Sequence, residues 1–120
     1  MIERLPGLPA GVLGLRASGQ VSAADYETVL IPAVEAAFEQ RAKVRLLYQI
    51  ANDFTGFDWG AMWDDARVGL RHLAGWERVA VVTDVAWIRA SMALFALAMP
   101  GMVRMFDGGE IDAATAWITG

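Results

Sequence analysis

The chain contains no cysteine. Disulfides, thiolate metal ligands and a cysteine nucleophile are therefore excluded, and a reducing cytoplasm is a consistent setting. Histidine occurs once, as His72, and lysine once, as Lys43. Charged residues are scarce at 20%, and they lean acidic: Lys+Arg total 10 against 14 Asp+Glu, a net charge of −4, with pI near 4.8. That balance offers no basic footprint, so nucleic acid is not an expected partner. Long apolar runs are also missing. The greasiest stretch, Ala90 to Val103, is about 14 residues and short of the ~20 a spanning helix needs. Pro100-Gly101 interrupts it. Met1-Ile2-Glu3-Arg4 carries an acid early, with no basic region leading into an apolar run, so no secretory leader is expected. What remains is apolar: 56% hydrophobic residues and a mean hydropathy of +0.36. Disorder is excluded on that composition. A chain of 120 residues reads as a single domain over 1–120, with one core burying roughly two-thirds of the unfolded surface.

Short apolar runs alternate with helical periods. Strands are expected at Ile2–Leu5, Val12–Ala17, Val44–Ile50, Val79–Thr83 and Val103–Phe106. Pro6-Gly7-Leu8-Pro9-Ala10-Gly11 joins the first two by turn chemistry, which predicts an antiparallel edge pair. Each later strand follows a helix-length segment, which predicts an α/β fold with mostly parallel pairing and about four helices. Helix one starts at Ser22, with Asp25 in the capping-box position. Tyr26, Leu30, Ala33, Val34, Ala37 and Phe38 share its apolar face, and Pro32 should kink or split it. Helix two is expected after Asp58 and should end near Gly75. Its apolar face carries Trp59, Met62, Trp63, Ala66, Leu70 and Leu73. Helix three follows Asp84, which is read as its cap, and runs to about Met99. A short helix from Glu110 to Ile118 closes the chain.

The chemical motifs fail one by one. Gly7, Gly11 and Gly14 sit in a turn and an edge strand, and no Gly-Lys-Ser/Thr follows a strand, so no phosphate loop is expected. Asp53, Asp84 and Asp107 each follow the carboxyl end of an expected strand, where α/β proteins place ligands. Their convergence would allow Mg²⁺, but the favoured reading is that Asp84 caps helix three and the others are loop acids. His72 projects to the polar side of helix two without a positioned partner, which is not the setting of a general base. No Gly-x-Ser-x-Gly elbow exists. The expectation is a non-enzyme, with no catalytic residue, no metal site and no cofactor.

Two features carry more weight. Trp59 and Trp63 form an i, i+4 pair that suits either a core or the wall of an apolar ligand cavity. In helix three, Ile88, Met92, Phe95 and Met99 fall on one side and are expected on the sheet. Trp87, Ala90, Leu94 and Leu97 fall on another, which is equally apolar. That second side is expected to be core, a lid over a ligand, a dimer contact or a lipid-touching surface.

Several stretches are similar to a known family. They are Gly7-Leu8-Pro9-Ala10-Gly11-Val12-Leu13-Gly14-Leu15 leading into Ala17-Ser18-Gly19-Gln20-Val21-Ser22-Ala23-Ala24-Asp25-Tyr26, and Gly56-Phe57 with Trp59 and Trp63. Arg78-Val79-Ala80-Val81-Val82-Thr83-Asp84 before Trp87-Ile88 follows, and then Val103-Arg104-Met105-Phe106 ahead of Ala116-Trp117-Ile118. In this order they resemble the SpoIIAA-like, or STAS/SEC14, family over nearly the whole chain. The resemblance implies a bacterial α/β sandwich with a mixed sheet of four or five strands covered by helices. It implies relatives of two kinds: anti-sigma-factor antagonists that bind proteins and are switched by serine phosphorylation, and CRAL-TRIO/SEC14 proteins that carry lipids. The antagonists place Asp-Ser-Ser-Gly where Phe57-Asp58-Trp59-Gly60 stands here. Trp59 occupies the phosphoacceptor position, and Thr55 is the nearest hydroxyl.

The resulting expectation is a non-catalytic binding protein for an apolar ligand or lipid. It would be cytoplasmic, with a peripheral membrane association through the hydrophobic helix. Trp59, Trp63, Trp87, Leu94, Phe95 and Leu97 are the candidate ligand-binding residues. The alternative is a STAS-type interaction module without the phosphoacceptor. Candidate partners are an apolar small molecule or lipid, a membrane surface, a second copy of the chain or another protein.

Overall fold

Alternating burial along the strands sets the architecture. In a computed structural model of the chain, residues 1–57, 75–98 and 101–120 are described. Along the chain these form β1 (Ile2–Arg4), β2 (Val12–Ala17), β3 (Gln20–Val21), α1 (Ala23–Asp25), a π-helical turn (Tyr26–Leu30), α2 (Ile31–Gln40), β4 (Val44–Ile50), β5 (Gly56–Phe57), β6 (Trp76–Val82), α3 (Ala86–Ala98), β7 (Met102–Phe106) and α4 (Ile111–Thr119). The main sheet has the order β1-β2-β4-β6-β7. β1 pairs antiparallel with β2, and every other neighbour is parallel. The mixed α/β sheet with an antiparallel N-terminal edge is as expected. β3 and β5 form a separate two-residue parallel ladder, too short to leave a hydrophobic period in the sequence.

Both faces of the sheet are covered, so the strands read as apolar on both sides. Leu13, Leu15 and Ala17 of β2, Val44 and Ile50 of β4, and Val79 and Val81 of β6 point to one core, which the rod from α1 through α2 covers with Tyr26, Leu30, Ala33 and Val34. Ile88 of α3 joins the same core. Leu47, Ala80, Val82 and Phe106 point the other way and meet Ala114 and Ile118 of α4. The strand order advances in one direction from β2 to β7. Right-handed crossovers put α2 and α3 on one face, and among the described residues the C-terminal helix alone covers the other.

Local chemistry explains the helix starts. Ser22 Oγ accepts from the Asp25 N–H at 3.3 Å, and the Asp25 carboxylate accepts from the Ser22 N–H at 2.9 Å, a complete capping box. Pro32 neither breaks nor interrupts the rod, which stays helical from Ala23 to Gln40 and changes only its hydrogen bonding. The turn before it is π-helical, with the Ile31 N–H bonded to the Tyr26 carbonyl. Pro32 itself lies in the first turn of α2, where a missing donor costs least.

Several boundaries differ from expectation. β1 ends at Arg4 rather than Leu5, and β7 begins at Met102. β6 starts at Trp76, three residues before Val79, and ends before Thr83. Trp76-Glu77-Arg78 looks polar in sequence. The strand is nevertheless extended there because Trp76 is buried, meets the Phe38 ring edge-on at 4.9 Å, and pairs with Val44 across a bulge. α3 begins at Ala86, and α4 spans Ile111–Thr119 rather than Glu110–Ile118. Three helices, counting the rod from α1 through α2 as one, lie among the described residues, against about four expected. The expected second helix falls on 58–74, outside them.

Candidate functional site

α3 is tethered at its N-terminal end to the carboxyl ends of β6 and β7. The Val85 N–H donates to Thr83 Oγ1 at 3.0 Å. Arg89 reaches back from the first turns and donates to the carbonyls of Thr83 at 3.0 Å and Phe106 at 3.2 Å, with Asp107 at 3.5 Å. These bonds satisfy carbonyls at the ends of β6 and β7 and set how α3 lies on the sheet. Ile88 then points into the core at 7% exposure, and Met92 packs against it.

The opposite side of α3 is open. Trp87 is 45% exposed, Leu94 71% and Leu97 85%. Ala86, Ala90 and Ala93 are exposed beside them. At 100° per residue, Trp87, Ala90, Leu94 and Leu97 fall within one narrow stripe. Ser91 borders the stripe and turns its hydroxyl back onto the Trp87 carbonyl at 2.9 Å, so it adds little polarity. Met102, 58% exposed, opens the edge strand β7 against which α3 packs. Of the outcomes weighed for this side, burial as ordinary core is overturned: the core takes Ile88 and leaves Leu94 and Leu97 outside.

Trp59 and Trp63 lie outside the described residues, as do Asp58, Gly60 and His72. Phe95 belongs to α3 by backbone, and its side chain is likewise outside them. Thr55 is exposed, with its hydroxyl 3.4 Å from Gln20 Oε1.

The three aspartates do not assemble. Asp84 accepts from the Gly108 N–H at 2.9 Å and so ties down the loop after β7 instead of heading α3. Asp107 faces Arg89, and Asp53 stands exposed in a turn. No cluster of three acid or imidazole groups suited to a metal occurs among the described residues. The topology explains this. A ligand crevice at strand ends needs a point where the strand order reverses, and the order β2-β4-β6-β7 never reverses.

Among the described residues one carboxyl, that of Asp25, is displaced from its ordinary value. The Ser22 backbone N–H lowers the Asp25 pKa below 3.8; partial burial opposes the shift, and the Ser22 hydroxyl and the Met1 amine add to it. These causes belong to the helix cap and mark a structural role.

Sequence reasoning missed a pair of inward arginines. Arg45 and Arg78 are register partners on β4 and β6. Arg45 donates to the Ile118 carbonyl at 3.1 Å and Arg78 to that of Trp117 at 3.0 Å, at the C-terminal end of α4. That end of a helix has orphan carbonyls and a negative dipole, which suits two cations. The available signal was an arginine at the same inward phase in two apolar strands.

A singly wound β/α layer closed on its far face by a terminal helix defines a SpoIIAA-like α/β fold. The chain belongs to the SpoIIAA-like family, whose model matches residues 12–119. Among solved structures, an uncharacterized protein of the DUF3478 family with a SpoIIAA-like fold, from Shewanella loihica PV-4, superposes with a TM-score of 0.77 at 23% identity. The match covers 98% of this chain and 92% of that one. No curated protein sequence matches.

Proposed function

We propose that this protein is a non-catalytic, STAS-type interaction module that docks another protein through the outer stripe of α3. The carrying observation is the exposure of Leu94 and Leu97, 71% and 85%, beside Trp87 on a helix side without a charged group. Contiguous exposed apolar surface of this kind marks interaction sites on soluble domains. A tryptophan flanked by leucines on a rigid helix is a suitable anchor set for a partner groove. Family membership supports the reading, and two of the acids that would argue for chemistry, Asp84 and Asp107, are engaged by Gly108 and Arg89. Phosphorylation at 57–60 is not part of the proposal, since Trp59 stands at the acceptor position.

A second reading has the stripe touch lipid or cover an apolar ligand. The uniformly apolar side of α3 favours it. The lack of basic residues along the stripe and the net charge of −4 argue against attraction to anionic headgroups.

A photo-reactive residue at position 94 separates the readings. In living cells it should yield one discrete protein adduct, lost when Leu97→Glu is added. Lipid adducts, or flotation of the purified protein with liposomes, would favour the second reading. An adduct with a second copy of the chain would make the stripe a dimer contact. No adduct of any kind would sink both readings.

A further inference from the structure

We infer that the pocket between the β1–β2 loop and the end of α2 binds a small organic anion, held by Arg4 and Arg41. The site lies at the β1–β2 edge of the sheet, away from α3, and stands or falls independently of the interaction surface. Most described arginines are committed to the fold. Arg16 faces Glu3, Arg45 faces Glu77 and Arg89 faces Asp107, while Arg78 and Arg104 lie over the rings of Trp117 and Phe106. Arg4 and Arg41 have no acidic partner among the described residues, although the chain carries more acids than bases. Both line the same pocket, about 260 Å³ in volume.

The construction is specific. Gly11 turns at φ +86°, and the Arg41 Cδ and Nε lie 3.3 and 3.4 Å from where a Cβ would stand. The bare glycine therefore lets the exposed Arg41 side chain lie against the loop at the pocket it lines. Arg4 reaches the pocket from β1. Leu8, Pro9 and Ala37 supply apolar wall. Two guanidiniums offer paired donors that match a carboxylate or phosphate. Because α2 ends here and a helix C-terminus repels anions, the arginines must supply the attraction. The volume lies just under the ~300 Å³ lower bound of small-molecule sites, so the ligand is a small carboxylate or phosphate monoester with a short apolar part.

The test titrates ¹⁵N-labelled protein with phenyl phosphate, hexanoate and sodium sulfate, following amide shifts by NMR. The same titrations are run on Arg4→Gln/Arg41→Gln and on Arg104→Gln as a charge control. We expect saturable shifts at Gly11 and Arg41 with an organic anion and weaker ones with sulfate. Affinity should fall at least about tenfold in the double variant and stay unchanged in Arg104→Gln. Vesicles of phosphatidylcholine with phosphatidic acid distinguish the source. Binding lost in the double variant would place the anion on a lipid headgroup, and binding of free phenyl phosphate alone would place it on a soluble molecule. Shifts that fail to saturate, that sulfate reproduces equally, or that survive in a folded double variant would overturn the assignment.

Discussion

Arg78 donates to the Trp117 main-chain carbonyl at 3.0 Å, and its guanidinium carbon sits 5.5 Å from the centroid of the same residue's ring. One side chain thus holds both the backbone end and the aromatic body of α4's last turn. Replacing it with methionine keeps the apolar stem and removes the charge. Arg78→Met should cost about 1–3 kcal/mol, from lost charge-assisted hydrogen bonds and the cation–π contact. Arg78→Lys should recover only part, because an ammonium lacks the planar fork. Urea denaturation of the three proteins measures this, and an unchanged midpoint in Arg78→Met would refute the clasp.

The Ser22–Asp25 box predicts two effects. Ser22→Ala should destabilise by about 1 kcal/mol through loss of the cap. The Asp25 carboxyl has a folded pKa below its ordinary 3.8, so its contribution is present above the unfolded value and fades as pH falls through the folded one. The stability difference between the native protein and Asp25→Asn should therefore be constant at neutral pH and shrink below about pH 4. Thermal unfolding against pH checks the sign. A difference that grew on acidification would contradict it.

Gly101 precedes β7, and a Cβ there would collide with the Trp76 carbonyl oxygen and lie 2.8 Å from that of Glu77. Both obstacles are backbone of the neighbouring strand and cannot rotate away. Gly101→Ala should cost about 1–3 kcal/mol by overpacking, with loss of amide protection in β6 and β7 by hydrogen exchange. Gly109→Ala, where a Cβ would meet open space, is the matched control.

The two sides of α3 should respond unequally to the same truncation. Ile88→Ala, at 7% exposure, should cost about 2–5 kcal/mol. Leu97→Ala, at 85%, should stay within about 0.5 kcal/mol. Equal costs in chemical denaturation would mean that the outer stripe is covered after all.

Much of the fold was legible because it rests on local rules. Val12–Ala17 and Val44–Ile50 match their strands residue for residue, since a short, mostly apolar run bounded by turn residues is a local signal of a strand. The Ser22 cap and the irregular turn before Pro32 were readable for the same reason: capping and a missing N–H act within four residues. β6 was read short because Trp76-Glu77-Arg78 is extended by partners on β4 and β7.

The candidate sites depend on contacts the sequence does not order. α3 is apolar on every side, so periodicity named two faces without choosing between them. The choice fell to the sheet, which has room for Ile88 once Arg89 anchors the helix to the ends of β6 and β7, and which leaves Leu94 and Leu97 outside. Arg45 and Arg78 became a clasp through strand register, and Arg4 and Arg41 became neighbours of one pocket through the packing of α2 against the β1–β2 edge. The sequence by itself determined which of the longer segments are strand or helix, because those preferences are local. Only the tertiary structure decided which side of α3 meets water and which charged groups converge, because both follow from strand order and helix placement between residues far apart in the chain.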